Sequence, residues 1–148
     1  MRLTTYTDFA FRTLIFVALR KEEGCTIQEL AEHYGISRNH LMKVVQQLGQ
    51  LGFVETTRGR GGGIRLGKPA EEIRLADVVR ATEDDMDIVE CFNPAEDRCV
   101  ISRVCRLRGI LGEAMTAWMN VLDHYTLADL VDNERALARV MQLPSPDQ

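Results

Sequence analysis

Residues 26–66 read TIQELAEHYGISRNHLMKVVQQLGQLGFVETTRGRGGGIRL. The stretch opens on Thr26, whose hydroxyl can cap a helix while Glu29, three residues on, reaches back to complete a capping box ahead of Leu30 and Ala31. Gly35 ends that helix. Ser37 is the expected N-cap of a second helix running to about Gly49, with Leu41, Val44, Val45 and Leu48 as its buried stripe. Two short helices joined by a glycine turn make a helix-turn-helix. Residues 53–57 then have strand composition, Arg58-Gly59-Arg60-Gly61-Gly62-Gly63 is a turn, and Ile64-Arg65-Leu66 reads as the returning strand. A hairpin directly after a helix-turn-helix is a wing.

Opposite the apolar stripe of the second helix lie Asn39, Lys43, Gln46 and Gln50, with Arg38 and His40 at its N-terminal end. Arg takes guanine O6 and N7, and Asn or Gln takes adenine N6 and N7, so these are base-reading types at the end that enters a major groove. On periodicity alone the same face reads equally well as the solvent side of an amphipathic helix. The wing favours DNA: Arg58 and Arg60 at its tip suit a minor groove whose negative potential attracts guanidinium groups. The glycine run has no Gly-Lys-Ser/Thr ending and lies between strands, which sets a nucleotide-binding loop aside.

Working outward, the 148-residue chain, 45% hydrophobic, fits one domain or a small domain with an appended oligomerisation element. Its net charge of -4 hides a division near Lys68: residues 1–68 hold ten Lys and Arg against six Asp and Glu, and the remainder eight against sixteen. A basic reader beside an acidic sensing or dimerising body produces that division. Upstream, Phe11, Leu14, Ile15 and Ala18 have helical spacing, and Asp8 sits in the first turn, where the helix dipole favours a carboxylate. The run Leu14-Ile15-Phe16-Val17-Ala18-Leu19 is too short to span a bilayer and lacks a signal-peptide cleavage site. The expectation is a cytoplasmic protein with no membrane partner, whose four cysteines serve as metal ligands or redox thiols rather than disulfides.

After Lys68-Pro69 comes a short helix around residues 75–82, then the acidic stretch Glu83-Asp84-Asp85 and Asp87, then Cys91, Cys99 and Cys105. Three thiols within fifteen residues, with Asn93-Pro94 forcing a turn, can converge on one centre, and thiolates suit iron–sulfur clusters or zinc. Arg98, Arg103, Arg106 and Arg108 nearby favour thiolates and offset their charge. Structural zinc prefers a two-residue gap and a fourth Cys or His at similar spacing, neither of which is here. Thiols without metal remain the alternative. Cys25, far from the others, reads as structural, and His33, His40 and His124 as surface or DNA-facing. From Cys105 to about Leu122, Leu107, Ile110, Leu111, Ala114, Met115, Trp118, Val121 and Leu122 recur at three and four residues, a stripe that can pair with a symmetry mate or cover its own domain.

Residues 1–131 resemble the family of winged-helix repressors that carry an iron–sulfur cluster, with a nitric-oxide-sensing and a cluster-biogenesis branch. The likeness rests on Met1-Arg2-Leu3-Thr4 leading to Thr7-Asp8, on Gly35-Ile36-Ser37-Arg38-Asn39-His40, and on Arg58-Gly59-Arg60-Gly61-Gly62-Gly63-Ile64-Arg65-Leu66-Gly67-Lys68-Pro69-Ala70. It continues through Cys105-Arg106-Leu107 and Tyr125-Thr126-Leu127-Ala128-Asp129-Leu130-Val131. The resemblance implies a mainly α fold with a small β-hairpin, a winged helix-turn-helix head plus a long dimerisation helix. It divides the chain into a DNA-binding domain, 1–82, a cysteine cluster-binding loop, 83–105, a dimerisation helix region, 106–133, and a flexible tail, 134–148. It implies a homodimer on a palindromic double-stranded operator, and not an enzyme.

The fourth cluster ligand separates the branches of that family. The biogenesis branch uses a histidine two residues after the third cysteine, where this chain has Leu107. A further redox-sensing branch uses an acidic residue and a histidine on the first helix, where this chain has Asp8 and Arg12. The nitric-oxide branch takes an aspartate from the partner's first helix, which carries over to Asp8. The resemblance therefore implies one [4Fe-4S] cluster per subunit on Cys91, Cys99, Cys105 and Asp8, with Arg12 supporting Asp8, [2Fe-2S] after oxygen exposure, and nitric oxide as the signal. DNA contacts fall to Arg38, Asn39, His40, Lys43, Gln46, Arg58 and Arg60. The alternative is an iron–sulfur, thiol or zinc redox regulator not dedicated to nitric oxide.

Overall fold

The computed structural model describes residues 2–59 and 62–143. Helix α1, Thr5–Arg20, starts at Thr4, whose hydroxyl accepts the Thr7 amide at 3.2 Å. Thr7, Ala10, Leu14 and Val17 recur at three and four residues, and each is fully buried. Helix α2, Ile27–Tyr34, carries the expected capping box: the Glu29 amide donates to the Thr26 hydroxyl at 3.1 Å, and the Thr26 amide donates to the Glu29 carboxylate at 2.7 Å. Gly35 closes α2 with φ 63°, a left-handed conformation that costs glycine least. Helix α3, Arg38–Gln50, buries Leu41, Val44, Val45 and Leu48 against α1 and α2, as its stripe requires.

Ser37 departs from expectation. Its side chain makes no capping bond; its carbonyl accepts the His40 and Leu41 amides, both at 3.1 Å. The start of α3 is exposed, so water can satisfy its remaining amides and a side-chain cap is not demanded.

Strands β1, Val54–Thr57, and β2, Gly63–Leu66, pair antiparallel with Val54 opposite Leu66 and Thr57 opposite Gly63. Of the wing turn, Arg60 and Gly61 lie outside the described residues. At Gly62 any Cβ would overlap the Thr57 carbonyl, so the turn admits no side chain there. The wing is tied to the head by Cys25, whose amide donates to the Ile64 carbonyl at 3.0 Å while its carbonyl accepts the Ile64 amide at 2.6 Å. The Cys25 side chain is 3% exposed. Burial pushes its thiol up to about 12, with the Glu29 charge adding and Arg20 opposing. That environment fits the structural reading of Cys25.

Helix α4, Leu75–Thr82, packs Ala76, Val78 and Val79 inward and completes the head. Among the described residues, the segment from 83 to 105 holds no strand or α-helix, only 3-10 turns at Glu90–Phe92 and Ser102–Val104. Helix α5, Arg106–Asp123, has no buried residue across its 18 positions. Its C-terminal end is nevertheless anchored. Arg80 on α4 grips Asp123 through both oxygens, at 2.7 and 3.1 Å, and the Leu127 amide donates to the Ile73 carbonyl at 2.8 Å.

The 106–133 region, expected to be a dimerisation helix region, is consequently not one helix. Helix α6, Leu127–Leu130, returns to the head, and Leu127 joins its core because the chain pairs with residues 73–75 there. The segment from 134, expected to be a flexible tail, forms helix α7, Glu134–Val140. Ala138 is buried, Met141 and Leu143 just beyond the helix pack against the core, and Glu134 pairs with Lys21 at 2.7 Å. Residues 144–148 lie outside the described residues.

Candidate functional site

Packing of Leu41, Val44, Val45 and Leu48 into the core turns the other side of α3 outward. Arg38, Asn39, His40, Lys43 and Gln46 are all exposed, with Arg58 exposed at the wing. Between α3 and β1 runs an open groove of about 1090 Å³ bordered by Asn39, Lys43, Gln46, Glu55 and Arg58. Five of the expected DNA-facing residues thus share α3 and the sixth, Arg58, stands across the groove; Arg60 is outside the described residues.

Two residues of α1 position this surface. The Tyr6 hydroxyl donates to the Lys43 carbonyl at 3.1 Å, and the Phe9 ring lies 6.3 Å from the His40 ring. At the other end of α3, Gln47 donates to the Ala81 carbonyl at 2.6 Å. The sequence marks none of these, because each joins segments far apart in the chain. Nor does it mark Met42, which is 52% exposed on α3 and lines the same groove.

Asp8 is half-exposed in the first turn of α1 and pairs with Arg12 at 2.8 Å. Arg12 lies 5.9 Å above the Tyr34 ring, and the Tyr34 hydroxyl donates to the Arg12 carbonyl at 3.2 Å. The amino end of α1 is held from a distance by Glu83. One Glu83 oxygen accepts the Thr4 amide at 2.9 Å, the Thr4 hydroxyl at 3.0 Å and the Thr7 hydroxyl in a short bond. The Thr7 hydroxyl oxygen also lies 2.9 Å from that of Thr82. The first residue of the cysteine segment therefore clasps the helix that carries Asp8.

All four cysteines are free thiols. Cys91 is buried in its 3-10 turn, Cys99 is half-buried with its amide donating to Asp97 at 3.1 Å, and Cys105 is half-buried directly ahead of α5. Asn93 makes the expected turn, its side chain accepting the Ala95 amide and its carbonyl the Glu96 and Asp97 amides. Arg98, Arg103 and Arg106 face solvent. Among the described residues no three His, Cys, Asp or Glu side chains gather in a metal-holding arrangement, so the single chain does not assemble Cys91, Cys99, Cys105 and Asp8. In chemistry the donor set fits a cluster: three unpaired thiols on one segment with no α-helix or sheet to break when they converge.

Beside this segment an open cavity of about 650 Å³ is bordered by Arg2, Thr4, Glu83, Asp84, Met115 and Trp118. Met115 and Trp118 thus face a cavity rather than a packed interior. Val104, Leu107, Ile110 and Val121 are exposed along and just before α5.

Comparison with known proteins agrees with this architecture. A family model described as "Rrf2: Iron-dependent Transcriptional regulator" matches residues 3–133. The chain is 54% identical over 144 residues to the HTH-type transcriptional regulator NsrR of Bacillus subtilis, covering 97% of this chain and 99% of that one. It is 48% identical over 143 residues to the protein of the same name from Geobacillus kaustophilus, covering 96% and 97%. Among solved structures, CymR of B. subtilis, titled the global cysteine regulator, superposes with a TM-score of 0.72 at 25% identity, over 90% of this chain and 98% of that one. T. potens IscR superposes at 0.71 with 22% identity, over 90% and 88%, a likeness of fold. No helix among the described residues is long and apolar enough to cross a membrane. The protein is a DNA-binding transcriptional regulator and not an enzyme. With its family model spanning the head, the cysteine segment and α5, the chain belongs to the Rrf2 family of iron-dependent transcriptional regulators.

Proposed function

We propose that the protein is a cytoplasmic, homodimeric repressor holding one iron–sulfur cluster per subunit, of the [4Fe-4S] type, and that nitric oxide acting on the cluster lowers its affinity for a palindromic operator. The ligands are Cys91, Cys99, Cys105 and the partner subunit's Asp8. The observation that carries this reading is that all three thiols are free and lie on the one segment joining the reading head to α5. Leu107, standing where the biogenesis branch has its histidine, and the 54% identity to a regulator named NsrR support the nitric-oxide branch.

When bound, the cluster supplies iron reactive toward nitric oxide and thiolate bonds that fix the segment. The chain's own residues make such fixation consequential. Cys105 directly precedes α5, so constraining its sulfur constrains the free end of a helix whose other end Arg80 holds. Asp8 must exchange its half-exposed partner Arg12 for a ligand role, a substitution that costs little at a solvated ion pair. Any tilt of α1 reaches the recognition surface through Tyr6 and Phe9. The exposed apolar side of α5 suits a second copy, which sets two reading heads on one duplex.

A second reading, a thiol-based regulator without a cluster, is favoured by the separation of the thiols in the single chain and by the likeness to a cysteine regulator. Operator binding by anaerobically purified protein, titrated with nitric oxide, separates the two. Parent protein should lose affinity on titration, and Asp8→Ala should lose the response. If Asp8→Ala binds and responds like the parent, the partner-ligand coupling is wrong.

A further inference from the structure

The groove between α3 and the wing is bordered by polar side chains and by Ile27, Val45 and Val54, of which Val45 and Val54 are buried; Met42 is the large apolar side chain that it leaves exposed. Met42 stands one turn beyond Asn39 and one turn before Gln46, in the same row as the side chains that suit adenine, and its thioether lies outside the protein's core. A solvated methionine on a surface is unremarkable by itself. Here it borders the groove that Asn39, Lys43, Gln46 and Arg58 also line, and a duplex bound through them takes it out of water. The only apolar group on the major-groove edges of the base pairs is the thymine methyl. Asn39 and Gln46 are suited to the adenine of A·T pairs, and every such pair carries that methyl in the same groove.

We propose that Met42 is a specificity-determining residue that packs against a thymine methyl in each half-site, selecting thymine over cytosine at that position. The proposal rests on the DNA-binding reading and is independent of the cluster. Glu55, across the groove on β1, strengthens it: a carboxylate there disfavours close approach of phosphate and leaves the space between α3 and β1 to base edges.

The test uses full-length, anaerobically purified protein and a duplex enriched by it from a random pool, with each thymine replaced in turn by deoxyuridine, which removes the methyl and keeps the pairing. Parent protein should lose affinity about fourfold at one thymine per half-site, the change expected for one buried methyl group. Met42→Ala should bind the unmodified duplex correspondingly more weakly and be indifferent to that deoxyuridine, while Met42→Leu, of similar volume, should keep the sensitivity. Parent protein indifferent to deoxyuridine everywhere, or Met42→Ala as sensitive as the parent, overturns the proposal while leaving DNA binding intact. If no duplex is enriched at all, the DNA-binding reading fails and this assignment fails with it.

Discussion

Replacing Glu83 by Ala removes an acceptor that takes three hydrogen bonds at the start of α1 from a position 79 residues away from Thr4 in the chain. The two bonds from Thr4 are exposed, and water replaces them at little cost. The third is part-buried and charge-assisted, and Thr7 itself is fully buried, although its hydroxyl keeps Thr82 as a partner. The net loss is therefore that of one charge-assisted bond plus part of a helix cap, about 1–2 kcal/mol. For a chain of this length, about 2–4 °C of Tm accompanies each kcal/mol, so Glu83→Ala should melt roughly 2–8 °C below the parent. Glu83→Gln, which keeps an acceptor oxygen, should lose about half as much. The assay is thermal unfolding of cluster-free protein followed by circular dichroism at one fixed concentration, since association shifts Tm. A Glu83→Ala protein within about 1 °C of the parent, or Gln as damaging as Ala, refutes the clasp.

Further outcomes are expected. At pH 8, iodoacetamide should modify Cys99 and Cys105 of the folded, cluster-free protein well before Cys25, read by peptide mass spectrometry, because burial holds the Cys25 thiol protonated up to about 12. The same shift stabilises the fold fully below the ordinary thiol range and is lost as pH rises toward about 12, so alkaline unfolding should come later in Cys25→Ala relative to its own neutral-pH stability. Asp123 is held below the usual carboxylate range by its hydrogen bonds from Arg80; Arg80→Ala should move its NMR-detected titration upward, and the interaction should fade as pH falls through that range. Arg58→Ala should weaken binding to all duplexes alike and flatten the salt dependence by about one unit for each phosphate left without its guanidinium, whereas Asn39→Ala should relax selectivity at a single base pair per half-site.

What the sequence disclosed was local. Thr26 and Glu29 lie three residues apart, and the stripe Leu41, Val44, Val45 and Leu48 repeats with the helix, so α2, α3 and the wing followed directly from spacing. The polar side of α3 followed as well, being whatever that stripe leaves outside. What it concealed depends on distant partners or on solvent. Nothing near Ser37 announces that its exposed amides need no side-chain cap, and nothing near Glu83 announces Thr4. Leu127 falls in what reads as a dimerisation helix region until residues 73–75 pair with its chain, and α7 falls in what reads as a flexible tail until Met141 and Leu143 pack against the head. Met42 falls on the border between the polar and apolar sides of α3, where a count of periodicity assigns it to neither. The cysteines mark a donor set by type and proximity, but among the described residues they do not gather, and the proposed convergence would need a metal and a second subunit, neither of which spacing encodes.

Native mass spectrometry of anaerobically purified protein tests the central claim most directly, because the mass of the intact assembly reports subunit number and cluster composition together. A dimer carrying two four-iron, four-sulfide units, reduced in cluster content by Cys91→Ala, Cys99→Ala or Cys105→Ala, is the expected result. A metal-free or zinc-loaded dimer that still binds its operator and still responds to nitric oxide contradicts it.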